Sequence, residues 1–143
     1  MSLAELKKSG RIREMPVDRK QIGSLMAVAR RDLGVAEGLA GRNFDWCYMA
    51  AYNSMLQASR ALMCSYGYSA GEEAHHKTAV EFVAAVLGEK DAGVANTLDR
   101  MRRKRHDVTY DEAGIISEYE AKHALETARS YLAMIEKRIR KRE

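Results

Sequence analysis

Proline, cysteine and aromatic residues are all scarce in this chain of 143 residues, which has one Pro, two Cys and an aromatic fraction of 7%. A single Pro beside ten Gly belongs to a folded chain and excludes a disordered one. Cys47 and Cys64 fall in what reads as one helix, where seventeen steps of about 1.5 Å put them roughly 25 Å apart. They cannot bridge each other, and neither belongs to a Cys-x-x-Cys pair. Both read as reduced core thiols of a cytosolic protein. So few aromatics leave Leu, Ala, Val and Met to fill the core. β-Branched residues never cluster and no segment sustains period-two alternation, which excludes a sheet-built fold. Long apolar runs are missing too, so no stretch is expected to span a bilayer. The charges of Glu5, Lys7 and Lys8, with no apolar run behind them, exclude an ordinary secretory signal.

What is present is charge on an apolar framework. The apolar fraction is 46%, the charged fraction 31% and the net charge +4. This length fits one domain with one core. The positive charge is clustered: Arg100, Arg102, Arg103, Lys104 and Arg105 form one block, and Lys137, Arg138, Arg140, Lys141 and Arg142 form another. Lys7, Lys8, Arg11 and Arg13 make a looser third. An anionic partner is compatible with such blocks, as is a solvated helix face. The first block runs directly into His106, Asp107 and, four residues after the histidine, Tyr110. If helical geometry holds through it, Arg102, Arg105 and His106 share a side. Asp107, Val108 and Thr109 are poor helix formers and predict that the helix ends there.

In chain order, residues 1–15 read as a flexible arm or a short extra helix closed by Pro16, and residues 16–143 as the folded domain. Asp18 caps a first long helix with Ile22, Leu25, Met26, Ala29, Leu33 and Ala36 on one face. Asn43 caps a second, which carries only Asp45 and Arg60 as charges through Tyr66 and is therefore expected to be surrounded by partners. Its stripes, Trp46, Met49, Ala50, Asn53 and Gln57 on one side and Tyr48, Tyr52, Met55, Ser59, Leu62 and Met63 on the other, read as core. Residues 67–71 are expected to be loop. A shorter helix follows with Ala74, Thr78, Val80, Val83, Ala84, Val86 and Leu87 inward, stopped by Gly88. Another runs from about Asp91 into the basic block. After a loop over 107–114, a last long helix carries Ile115, Tyr119, Ala121, Leu125, Ala128, Leu132, Ile135 and Ile139. The fold class is all-α: an antiparallel up-and-down bundle of four long helices plus a shorter fifth.

Three Glu-x-x-His pairs, Glu72 with His75, Glu73 with His76 and Glu120 with His123, invite a metal reading. A carboxylate-bridged metal bundle needs one further glutamate from each remaining helix, and the central helix has none, so no metal is expected. His75 and His76 adjoin the loop after the central helix; one is expected to pack and the other to be wet, with phosphate or base contact as their alternative use. Nothing indicates a Ser-His-Asp arrangement, a zinc finger or a strand-preceded phosphate loop. The cationic tail 137–142 is explained by the helix dipole that it compensates.

The segment Ala51-Tyr52-Asn53-Ser54-Met55-Leu56-Gln57-Ala58-Ser59-Arg60-Ala61-Leu62, then Gly67-Tyr68, His75 or His76, and Arg105-His106-Asp107-Val108-Thr109-Tyr110, resembles in order and spacing the HEPN domain family. The resemblance covers roughly residues 18–140. Many members are metal-independent ribonucleases in which an Arg, often followed by Asn, and a His four to six residues later meet across a dimer cleft. Here Arg105 matches the Arg, His106 takes the Asn position, and Tyr110 stands where the catalytic His would be. That pattern is similar to the branch that binds nucleotides or nucleic acid without cleaving and is often encoded beside a minimal nucleotidyltransferase.

The resemblance thus implies a cytoplasmic, prokaryotic homodimer that binds nucleotide or RNA, in a toxin–antitoxin-like or nucleotidyltransferase-linked system. No cofactor is implied. Arg105 would hold phosphate, His106 would donate a hydrogen bond, Tyr110 would orient or stack, and Arg102 and Arg103 would add attraction. In a second register, Arg100 and His106 have the ribonuclease spacing and would be the catalytic pair of a metal-independent endoribonuclease. A purely structural helical partner is the third alternative, and whether the chain is an enzyme stays open at this point.

Overall fold

The computed structural model describes residues 1–70, 75–110 and 113–143. Four long helices carry the fold: α2 (Arg19–Leu39), α3 (Phe44–Ser65), α5 (Ala92–Tyr110) and α6 (Glu118–Lys141). The shorter α4 (His75–Leu87) and a 3-10 turn (Glu89–Asp91) lie between α3 and α5. This is the expected all-α bundle. Capping chemistry fixes the starts of α2, α3 and α6. The Asp18 carboxylate accepts from the Lys20 and Gln21 amides, and the Asn43 side chain accepts from the Trp46 amide at 2.9 Å. Ser117 and Glu120 close a reciprocal capping box that satisfies two otherwise unpaired donors of α6. Gly88, at φ 73°, takes a positive-φ conformation that glycine adopts without a side-chain clash, and α4 ends there.

Helix α3 is the axis, with α2 and α6 packed along it and α4 and α5 on the remaining side. Arg30 to Glu136 and Arg129 to Glu37 tie α2 antiparallel to α6. The core contains Met26, Ala29, Tyr52, Met55, Leu62, Phe82, Leu98, Leu132 and Ile135, so aliphatic residues and methionine dominate it. Cys47 and Cys64 are buried and free. A fully buried polar pair, the Ser59 and Tyr131 hydroxyls 2.5 Å apart, joins α3 to α6. Asp45 reaches out of α3 to accept from the Gly114 and Ile116 amides at 2.6 and 3.3 Å, which anchors the approach to α6.

Several expectations are corrected. Residues 1–15, expected as a flexible arm or a short extra helix, hold a short helix, α1 (Leu3–Lys8), but also a strand, β1 (Ile12–Glu14), because Leu6 and Ile12 find full burial and Arg11 pairs with Glu81 of α4. The segment expected as loop after α3 supplies β2 (Tyr68–Ala70), antiparallel to β1 with Ile12 opposite Ala70. Two short segments pair here because the arm must satisfy its backbone where it crosses the bundle. The α3 stripe of Trp46, Met49, Ala50, Asn53 and Gln57 is not core: Trp46 is 59% exposed and the other four are only partly buried. Tyr119 is likewise 76% exposed, and Ala84 is exposed. The helix expected to stop near Asp107 continues to Tyr110, with Val108 packed against the core and the Thr109 hydroxyl donating back to the Arg105 carbonyl at 2.8 Å. The readings of Gly71, Glu72, Glu73, Ala74, Asp111 and Glu112 lie outside the described residues.

Candidate functional site

Helix α4 begins beside the middle of α3, and this puts His76 against Tyr52. The phenol oxygen lies 2.9 Å from His76 Nδ1, and the two rings stack with centroids 5.7 Å apart at 17°. Tyr52 is fully buried, and burial pushes its ionisation far above the ordinary tyrosine range, so it keeps its proton. Among the described residues that proton has one acceptor, Nδ1. The neutral imidazole therefore accepts on Nδ1 and carries its own hydrogen on Nε2, the edge turned from the tyrosine. His76 is held below its ordinary proton affinity, first by burial and then by the charges of Arg105, Arg102, His75 and Arg60. A half-buried histidine thus sits in the field of arginines from α3 and α5.

Helical spacing selects which members of the basic block face it. Arg102 and Arg105, three residues apart, lie on the side of α5 turned to α3 and α4, and both are partly buried. Arg102 is already engaged, with Nε and Nη2 each 2.9 Å from one Asp99 oxygen. Arg103 takes the other oxygen at 3.2 Å from the exposed side. Lys104 turns away to Glu120 at 3.5 Å. Among the described residues Arg105 makes no ion pair. The arrangement can do two things chemically: neutralise an oxyanion with guanidinium groups, and offer it a neutral N–H donor whose tautomer a buried phenol fixes.

The remaining sequence-predicted residues fall elsewhere on α5. His106 and Tyr110 pack on each other with ring centroids 4.8 Å apart, on an exposed edge where Tyr110 is 68% accessible. Because the helix continues, Arg105 and Tyr110 stand about 140° apart around its axis. Arg100 donates to Thr97 at 3.2 Å and lines the groove between α5 and α6. The block therefore sets Arg102 and Arg105 within electrostatic reach of His76 and leaves His106 and Tyr110 as a separate pair. Sequence reasoning singled out His76 but read Tyr52 only as core. The signal for their pairing was a polar hydroxyl in an apolar stripe, which must find a partner when buried. Of the Glu-x-x-His pairs, Glu120 is used in the α6 cap and His123 stacks on Tyr119, while Glu72 and Glu73 lie outside the described residues.

The family model of the HEPN domain matches residues 23–138, a span that contains α3, α4, α5 and every residue of this site. The chain belongs to the HEPN domain family. Membership carries a nucleotide- or RNA-related function in general. This HEPN domain is also similar in fold to TT1696 from Thermus thermophilus, known from its crystal structure. The two superpose with a TM-score of 0.65 at 22% identity, over 82% of this chain and 97% of that one. No curated protein sequence matches the chain. Among the described residues no helix is long and apolar enough to cross a membrane.

Proposed function

We propose that this HEPN domain binds the phosphate of a nucleotide or RNA strand at Arg105, Arg102 and His76, without cleaving it. The observation that supports this most is the partly buried Arg105, without an ion pair among the described residues, beside a neutral His76 held by Tyr52. A partly buried cation of that kind is costly unless an anion completes it. His106 and Tyr110, stacked at the end of α5, are placed by the same reading as an outer contact for base or sugar, with Arg103 adding attraction.

The test is titration of a labelled single-stranded oligoribonucleotide and of nucleoside triphosphates at several salt concentrations, with the RNA followed by gel after long incubation in EDTA. Saturable binding of intact RNA that Arg105→Ala weakens is the expected result. Absence of binding at low salt, or equal binding by Arg105→Ala, rejects the proposal. Cleavage abolished by His106→Ala and Arg100→Ala would assign the ribonuclease alternative instead.

The wider setting belongs to the same proposal: a cytoplasmic homodimer in a toxin–antitoxin-like or nucleotidyltransferase-linked system. Self-association is supported by the open α3 stripe that begins at the exposed Trp46 and passes Met49 and Ala50. A Trp46→Glu variant is expected to sediment as a monomer while the parent chain sediments as a dimer. A parent chain that is monomeric at high micromolar concentration would remove the dimer from the account.

A further inference from the structure

At the end of α6, Lys137, Arg138, Lys141 and Arg142 converge with Tyr66 and Asp91 on one cleft of about 390 Å³. Its two arginines are positioned before any ligand arrives. The Arg142 guanidinium carbon lies 3.5 Å from the centroid of the Tyr66 ring, and Arg142 Nε donates to the Ser65 carbonyl at 3.1 Å. Arg138 Nη1 donates to the Tyr66 hydroxyl at 3.5 Å. Tyr66 is in turn braced edge-on by Phe82 of α4, with centroids 5.6 Å apart. A guanidinium stacked on an aromatic face and tied through Nε keeps its terminal N–H groups free for an acceptor, and it loses little side-chain freedom on binding one. Among the described residues none of these four cations makes an ion pair, although the Asp91 carboxylate shares the cleft. The cleft adjoins the first residues of α5, whereas Arg102 and Arg105 lie some 11 to 14 residues further on, about 16 to 21 Å along that helix. The two places are therefore separate.

We propose that this cleft is a second oxyanion site that takes phosphate, in which Arg138 and Arg142 supply directed N–H donors and Lys137 and Lys141 supply mobile charge. The phosphate could be carried by a small polyphosphate compound or by an RNA backbone, and one experiment separates the two sources. Nitrogen-resolved NMR of the arginine Nε–H groups of the full chain is followed during titration with inorganic pyrophosphate and, separately, with a ten-residue uridine oligoribonucleotide. The Arg138 and Arg142 signals are expected to shift saturably with at least one titrant: pyrophosphate alone marks a small-molecule site, and RNA alone or both together mark a backbone contact. The exposed substitutions Lys137→Ala and Lys141→Ala leave the Tyr66 stack in place, and together they should weaken the effect at least about tenfold. In the RNA arm they should also flatten the log–log salt slope by about 0.7 per lost contact. No saturable shift from either titrant at millimolar concentration, or the same affinity in the double variant, overturns the proposal. The Arg105→Ala chain keeps the two readings apart, since it should lose binding at the α5 site while the Arg142 shift persists.

Discussion

Replacing Arg105 by alanine should do more harm to ligand binding than replacing any other member of the basic block, although five cations crowd its six positions. The order follows from what each side chain already holds. Arg102 and Arg103 share the Asp99 carboxylate, at 2.9 and 3.2 Å, so much of their charge is answered within the helix. Lys104 faces Glu120 at 3.5 Å. Arg105 is partly buried beside His76 and, among the described residues, has no carboxylate. Losing its charge-assisted hydrogen bonds to a phosphate costs about 1.5–3 kcal/mol, or roughly 10- to 150-fold in affinity. Each phosphate contact on a single strand adds about 0.7 to the salt slope, so a fourfold rise in salt should weaken the variant about 2.6-fold less than the parent. The assay is fluorescence anisotropy of a labelled single-stranded RNA between 50 and 200 mM salt. The expected ranking of losses is Arg105, then Arg102, then Arg103. Equal losses at all three positions would mean that the block acts as a diffuse charged face, and the reasoning from local pairing would be refuted.

Two further predictions concern the fold. Leu6→Ala should lower stability by about 2–5 kcal/mol, the usual cost of emptying a fully buried leucine site, read as a lower urea midpoint at unchanged slope; a change below 0.5 kcal/mol would show α1 to be unpacked. Burial pushes Tyr48 up to about 12, and Tyr52 and Tyr131 are shifted in the same direction by the same cause. Their raised values favour the protonated fold below the unfolded value of 10, and that stability drains away as pH rises beyond it. Denaturation midpoints should therefore fall from pH 10 upward, with a spectrophotometric tyrosine titration delayed to the same range; a flat midpoint through pH 11 would contradict the burial.

The helices were readable because their signals are local. Asp18 and Asn43 cap where their side-chain oxygens meet the next amides, and the spacing of Ile22, Met26 and Ala29 lies on one buried face. What could not be read depends on distant neighbours. The low helix propensity of Asp107, Val108 and Thr109 predicts an ending, yet packing of the partly buried Val108 against the core outweighs a few tenths of a kcal/mol per residue. That extension is what turns Tyr110 away from Arg105. The α3 stripe from Trp46 to Gln57 has the composition of core, and it is the packing around α3 that leaves Trp46 exposed and the other four only partly covered. His76 was visible as one of two histidines beside a loop. Its meeting with Tyr52, 24 residues earlier, depends on where α4 starts relative to α3, and no local periodicity encodes that register. Sequence marked α5 as the most cationic helix; packing set Arg102 and Arg105 on its partly buried side.

The most direct measurement is the protonation of His76, followed through its imidazole NMR signals with and without nucleotide. In the free protein it should titrate below the ordinary value of 6.5, because burial and the surrounding arginines disfavour its cation. The stability that neutral His76 lends the fold is complete above pH 6.5 and is lost as pH falls through the lower folded value. A bound phosphate reverses the local field, so the titration should move upward on binding and affinity should rise as pH falls. A His76 signal that titrates identically in the free and nucleotide-saturated protein would contradict the account, because the anion would then be bound somewhere else.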